Sequence, residues 1–289
     1  MTNALNIDDY DLGQAREVVA AFGSKRYGYV VTPNVDHVIR YHDDPQFEAL
    51  YRYATVVLLD SRFLARLLSL VKRQKFRVCL GSDLTGEVFR SVIKSDDVVV
   101  LVGGTPVQAQ ELRIQYSLKS LVHVDPPMHF LSDDAAVETC LREIEAASPF
   151  RFCFLAIGSP QQEYIAYKLQ LRGVARGLAL CVGAAINFVT GREKRAPFWM
   201  QRLSLEWLFR LVQNPRRMAK RYLIRGPRIF TLLPRMRLQL RREIASPRDA
   251  MSYPPTVPIG SAAMMGANSA TSCGAAPGTP MVTGPVQSL

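Results

Sequence analysis

Apolar residues along this chain fall into short, nearly continuous runs, separated by helix-length segments of mixed polarity. "YGYVVTPN" (27–34), "ATVVLLD" (54–60), "DDVVVLVGG" (96–104), "SLVHVDPP" (120–127), "FRFCFLAIGSP" (150–160) and "LALCVGAA" (178–185) are the clearest runs. Runs that are apolar at successive rather than alternate positions suit strands covered on both faces, as in a parallel sheet. Between them, "SDDAAVETCLREIEAA" (132–147) and "QQEYIAYKLQL" (161–171) have the length and mixed polarity of helices. This alternation predicts an α/β fold, a Rossmann-like, mostly parallel sheet flanked by helices.

Ligands of such sheets bind outside the carboxyl ends of the strands, so the residues that end each run are the ones to inspect. "VVTPN" ends with the hydroxyl of Thr32 and the carboxamide of Asn34, placed either to bond a ligand or to form a turn and helix cap. Asp60 ends "VVLLD" just before a helical pattern. It can cap that helix, or face the cleft as a carboxylate able to take a proton from a sugar hydroxyl. "GSPQQE" (158–163) follows a strand and opens a helix. Its backbone N–H groups suit a phosphate, with Gly158 permitting close approach. The plainer reading is a capped helix with Ser159 as cap and Pro160 at the first helical position. No GxGxxG or Walker sequence supports a dinucleotide or P-loop site.

Charge changes the picture in one place. From Arg192 to Arg242 there are 15 Lys/Arg against Glu193 and Glu206, a local +13 that leaves −2 of the total +11 for the rest of the 289 residues. The five cysteines have no paired spacing, and three of them sit in apolar runs as small hydrophobes. With four scattered histidines and no CxxC, a metal site has no support and no cofactor is expected. "MTNALNIDDYDLGQ" has no apolar core of a secretory signal, and no run is long enough to span a bilayer. The expectation is a cytoplasmic protein. Beyond Ser246 the chain is rich in Pro, Gly, Ser and Ala and poor in charge, which predicts a disordered tail.

Taken together, "VVTPN", the strand-end Asp60, "GSPQQE" and "GREKRAPFWMQRLSLEWLFRLVQNPRR" resemble the WecG/TagA/CpsF family of bacterial glycosyltransferases (glycosyltransferase family 26), from about Tyr29 to Arg217. The resemblance implies a metal-independent, inverting transferase. Its donor would be a UDP-sugar, of the N-acetylmannosamine or glucuronic acid kind. Its acceptor would be a glycan on polyprenyl pyrophosphate at the inner membrane, in cell-surface or exopolysaccharide synthesis. It places Thr32, Asn34 and Asp60 in the catalytic pocket, with Asp60 as base. Arg77, Gly158, Ser159, Gln162 and Asn187 fall on donor-contacting positions, and Arg210, Arg217 and Lys220 on basic positions that close over the site. Two departures reshape the pocket rim: Ser61 and Arg62 follow the aspartate where relatives usually have glycine, and "VGAAIN" replaces a more Gly-rich stretch.

The expected organisation is a core over 1–191, a basic amphipathic appendage over 192–245 and a tail over 246–289. Arg217, Arg221, Arg225 and Arg228 share one helical stripe if the helix persists, though Pro215 and Gly226-Pro227 argue for several short helices. With Trp199 and Phe209, that stripe suits an anionic bilayer surface at the inner face of the plasma membrane. A sugar-nucleotide oxidoreductase would need the missing dinucleotide fingerprint. A nucleic-acid-binding protein fits the charge but lacks a recognised motif, so no nucleic acid is expected.

Overall fold

In the computed structural model the described residues are 4–242, without the side chain of Arg217. The expected tail therefore lies outside the described residues. Six parallel strands form the central sheet: β2 (Tyr27–Val31), β3 (Val56–Val57), β4 (Val98–Val102), β5 (Ser120–Val124), β6 (Phe152–Leu155) and β7 (Gly177–Cys181), in the spatial order β3-β2-β7-β6-β4-β5. Five fall within the apolar runs and β7 begins one residue before the sixth; helices cover both faces, so the α/β expectation holds.

Successive side chains of a strand point to opposite faces, and here they divide between two cores. Tyr29, Val31, Val100, Val102, Cys153, Leu155, Ala179 and Cys181 join the core under the helices Val35–Asp43, Pro45–Arg52, Asp134–Ala146 and Gln161–Arg172. Val30, Val99, Leu101, Phe152, Phe154, Leu178 and Leu180 join the core under Leu12–Phe22, Gly81–Glu87 and Pro106–Gln115. Two-sided burial explains why these strands read as unbroken apolar runs rather than as alternation.

Two further strands stand apart from the central sheet. β1 (Leu5–Asp8) pairs in parallel with β8 (Leu238–Arg241), from opposite ends of the described chain. Asp8 is buried between them: its Oδ2 accepts from the Val57 N–H (2.8 Å) and from Arg241 (2.7 Å). Neither strand was anticipated. The basic segment between β7 and β8 is broken into Phe198–Leu203, Glu206–Gln213, Pro215–Ala219, a π-helical turn Lys220–Arg225 and Arg228–Leu232. Its far end enters the first core through Ile229, Leu233 and Met236, all buried.

Candidate active site

The loops after β2 and β3 converge under the basic segment. Asn34 caps the helix Val35–Asp43, its Oδ1 accepting from the Asp36 N–H (3.1 Å) while its own N–H donates to His37 Nδ1 (3.2 Å). The same Oδ1 also accepts from the Arg221 guanidinium (2.8 Å), so capping and an outward contact coexist. Thr32 is buried, and its hydroxyl donates to the Cys181 carbonyl (3.3 Å). It lies against Gly81, where a Cβ would come within 3.1 Å of Thr32 Oγ1, so glycine lets that segment close onto the end of β2.

Asp60 does not cap the helix that follows it. The cap of the helix Arg62–Lys72 is Ser61, whose Oγ accepts from the Leu64 N–H (3.1 Å). Asp60 is left to accept, through Oδ1, from the Gly81 N–H (2.9 Å) at the start of a different helix. Asp60 lines a cavity of about 420 Å³. Burial pushes its pKa up from 3.8 to about 6; Arg210 and the Gly81 N–H pull it down, while Glu206 and Asp83 push it further up.

One wall of the cavity comes from Asn34, Asp60, Phe63, Phe188 and residues 193–196, and the other from the basic segment, with Trp207, Phe209, Arg210, Tyr222 and Phe230. Trp207 packs against Phe63 and, edge-on, against Tyr222. Arg195 and Arg210 each hold a guanidinium 5.6 Å from the centre of the Phe188 ring.

Of the other predicted residues, Thr32, Arg77, Gly158, Ser159, Gln162, Asn187 and Lys220 do not line this cavity. Gln162 is buried, its Oε1 accepting from the Gly183 N–H (2.8 Å) and its Nε2 donating to Glu163 (2.9 Å), so it ties the ends of β6 and β7 together. Gly158 has φ +80° with open space where a Cβ would stand. Ser159 does not cap the helix, which starts at Gln161 with no side-chain cap; its Oγ instead accepts from Arg40 (3.5 Å). Asn187 Oδ1 accepts from Gln108 Nε2 (2.9 Å). The Arg77 guanidinium turns to Gln14 (2.5 Å) at the start of the helix Leu12–Phe22. Lys220 is exposed, and Arg217 has its backbone in Pro215–Ala219.

The helix that would align Arg217, Arg221, Arg225 and Arg228 does not persist: it passes through a π-helical turn and breaks at Gly226-Pro227. Arg221 faces inward to Asn34 and, at 3.6 Å, to Asp36. Arg228 makes a two-pronged pair with Asp43 (2.5 and 2.9 Å), and Arg225 is exposed. Phe209 lines the cavity, whereas Trp199 is 59 % exposed.

Sequence reasoning missed a buried pair beside the site. His37 Nε2 stands 3.8 Å from Glu163 Oε1, both side chains almost wholly enclosed. Burial, with Arg221 and Arg40 nearby, pushes the His37 pKa well down, so the ring is neutral, and burial pushes Glu163 up. The available signal was position: His37 is the third residue after a helix cap, and Glu163 closes "GSPQQE".

With the geometry in place, the comparison with protein families is informative. The model of the "Glycosyl transferase WecG/TagA/CpsF family" matches residues 2–243. The chain belongs to this family. It is a glycosyltransferase, a class that takes a sugar-nucleotide donor and a glycan acceptor, and the oxidoreductase and nucleic-acid readings fall away. In a transferase the cavity's contents divide by charge: one carboxylate with a raised pKa suits proton removal, and the Arg210 guanidinium on Phe188 suits an anionic leaving group, Arg195 being paired with Asp83. Among the described residues no helix is long and apolar enough to cross a membrane.

Proposed function

We propose that this glycosyltransferase transfers a sugar with inversion, and without a metal, from a UDP-sugar to a glycan carried on polyprenyl pyrophosphate. The observation that carries the reading is Asp60, fixed by the Gly81 N–H at the wall of a cavity that also presents Arg210. The Asp60 carboxylate takes the proton of the acceptor hydroxyl as that oxygen attacks the anomeric carbon. The bond from that carbon to the donor phosphate breaks, and UDP leaves with the bonding electrons. Arg210 meets the charge that develops on the diphosphate, and Arg217 and Lys220 are assigned to it by their family positions. Thr32 and Asn34 shape the acceptor side, while Arg77, Gly158, Ser159, Gln162 and Asn187 stay assigned to the donor, Gln162 by bracing the loop at Gly183. Calorimetric titration with UDP, GDP and CMP tests the donor: UDP should bind at least about tenfold more tightly than the others, the discrimination of one or two hydrogen bonds. Equal affinities would sink the UDP assignment.

We also assign a membrane-facing surface to the basic segment, seating the protein on the inner face of the plasma membrane. Trp199 is 59 % and Ile224 70 % exposed, and Leu223 and Arg225 are exposed beside Ile224, so apolar insertion and charge attraction would act together. Ile224→Glu should lower co-sedimentation with phosphatidylglycerol vesicles about tenfold, the loss of one inserted apolar side chain. Binding by the unaltered chain should fall as salt rises. Vesicle binding indifferent to both would remove this surface from the assignment.

A further inference from the structure

We propose that Arg62 is a positioning residue: by holding Glu206 it keeps Arg210 turned into the cavity, available to the diphosphate of the donor. This rests on the glycosyltransferase reading of that cavity. Glu206 and Arg210 lie four residues apart on the helix Glu206–Gln213, with the acid N-terminal. At that spacing and in that order the two side chains pair readily on a helix surface. Here they do not. The Glu206 carboxylate is taken by the guanidinium of Arg62, from the helix Arg62–Lys72 across the cavity rim. Among the described residues no ion pair within 4 Å involves Arg210, which lies over Phe188 instead.

The neighbouring acid is occupied in the same way. Asp83 pairs with Arg195 and has Arg62 at 4.0 Å, so Arg62 stands between the two acids whose charges raise the pKa of Asp60. Each of these acids is matched to a cation from another element, and Arg210 is left with an aromatic face, the open cavity and the charge of Asp60 nearby. Without Arg62, Glu206 would have Arg210 in reach one turn along its own helix, and a change of side-chain rotamer would bring them together. The diphosphate would then lose its cation, although Arg62 itself need never touch the donor. Arg62 stands one residue after the Ser61 cap, so the helix start that frees Asp60 also places this guanidinium.

Calorimetric titration of the full chain with UDP tests the assignment. Arg62→Ala should weaken UDP binding about tenfold, the worth of one charge-assisted contact. Glu206→Gln should weaken it less, since a neutral amide cannot capture Arg210 as an ion pair. The double variant should match Glu206→Gln rather than Arg62→Ala, and in an Arg210→Ala background Arg62→Ala should have no further effect. Arg62→Gln, which keeps hydrogen bonding but not charge, repeats the test should thermal melting show Arg62→Ala unfolded. If the bridge merely fastens the basic segment, the two single variants will be equally weak and the double no better, which overturns the inference. Failure of the unaltered chain to bind UDP would instead overturn the donor reading, and the inference with it.

Discussion

Asp60→Asn should abolish transfer while making the folded protein more stable. Loss of a general base lowers turnover by about 10²-fold or more, and the amide oxygen of asparagine can still accept from the Gly81 N–H that fixes Oδ1. The gain in stability follows from the raised pKa. Asp60 moves from 3.8 in the unfolded chain to about 6 when folded, so between those values the folded state holds the proton more tightly. Stability is therefore lost as pH rises through that window, and the penalty is complete above about pH 6. At about 1.4 kcal/mol per pH unit it reaches about 3 kcal/mol, and the asparagine variant escapes it. Urea unfolding should show the variant ahead at pH 7 and level with the unaltered chain near pH 3.8. The same titration predicts that kcat/KM of the unaltered chain falls below about pH 6, as the base becomes protonated. A variant that is inactive and also less stable at pH 7 would mean that Asp60 is a structural acid, not a base held at a cost.

How much of this was legible beforehand depended on whether the information was local. The six central strands announce themselves because two-sided burial makes each run apolar at every position; five of the runs contain a whole strand, and the sixth all but the first residue of β7. Asp60 was legible as a strand-end carboxylate, but not its role, since "LDSR" offers two cap candidates in succession. Only the Leu64 N–H bond to Ser61, three residues ahead, decides between them. β1 and β8 were illegible for a different reason. "LNID" and "LQLR" are four residues each, half polar, and flanked by charge. Each alternates apolar and polar, but over only four residues, and their pairing joins positions more than 230 residues apart. The cavity wall has the same character. Nothing local in "EWLFR" says that Phe209 faces inward and that Glu206 turns to Arg62 rather than to Arg210. The single helix on which an arginine stripe depended does not persist: the chain passes through a π-helical turn and breaks at Gly226-Pro227, a break those two residues had signalled.

Removing residues 237–289 should destabilise the protein by about 3 kcal/mol relative to a chain ending at 242, the low end for breaking a buried ion pair from one side. The shorter chain loses β8, and with it the two arginines that face the paired acids of the N-terminal strand: Arg241 on Asp8 (2.7 Å) and Arg242 on Asp9 (3.2 Å). Asp8 and Asp9 are both buried, and each has a second bond that holds it in place, Asp8 to the Val57 N–H and Asp9 to the Arg77 N–H. Neither can follow its partner out to solvent without breaking that bond. Burial already raises the pKa of Asp8, against the opposing pull of Arg241, so its charge is disfavoured in the folded state even when paired. Removing Arg241 raises that pKa further, which makes the deficit largest at neutral pH and smaller near pH 4, where a carboxyl at position 8 takes up a proton on folding. Asp8→Asn in the shorter chain should therefore recover part of the loss at pH 7, since an amide oxygen still accepts from Val57 and carries no charge. Urea unfolding of the chains ending at 236 and 242, at both pH values, measures this directly. Equal stability would show β8 to be ornamental. A deficit that Asp8→Asn relieves would make the basic segment a strap fastened at both ends, with its far end anchored through Ile229, Leu233, Met236 and the β1–β8 pairing. Movement over the cavity would then be confined to the short helices between Phe198 and Arg225, which carry Arg210 and the exposed apolar side chains.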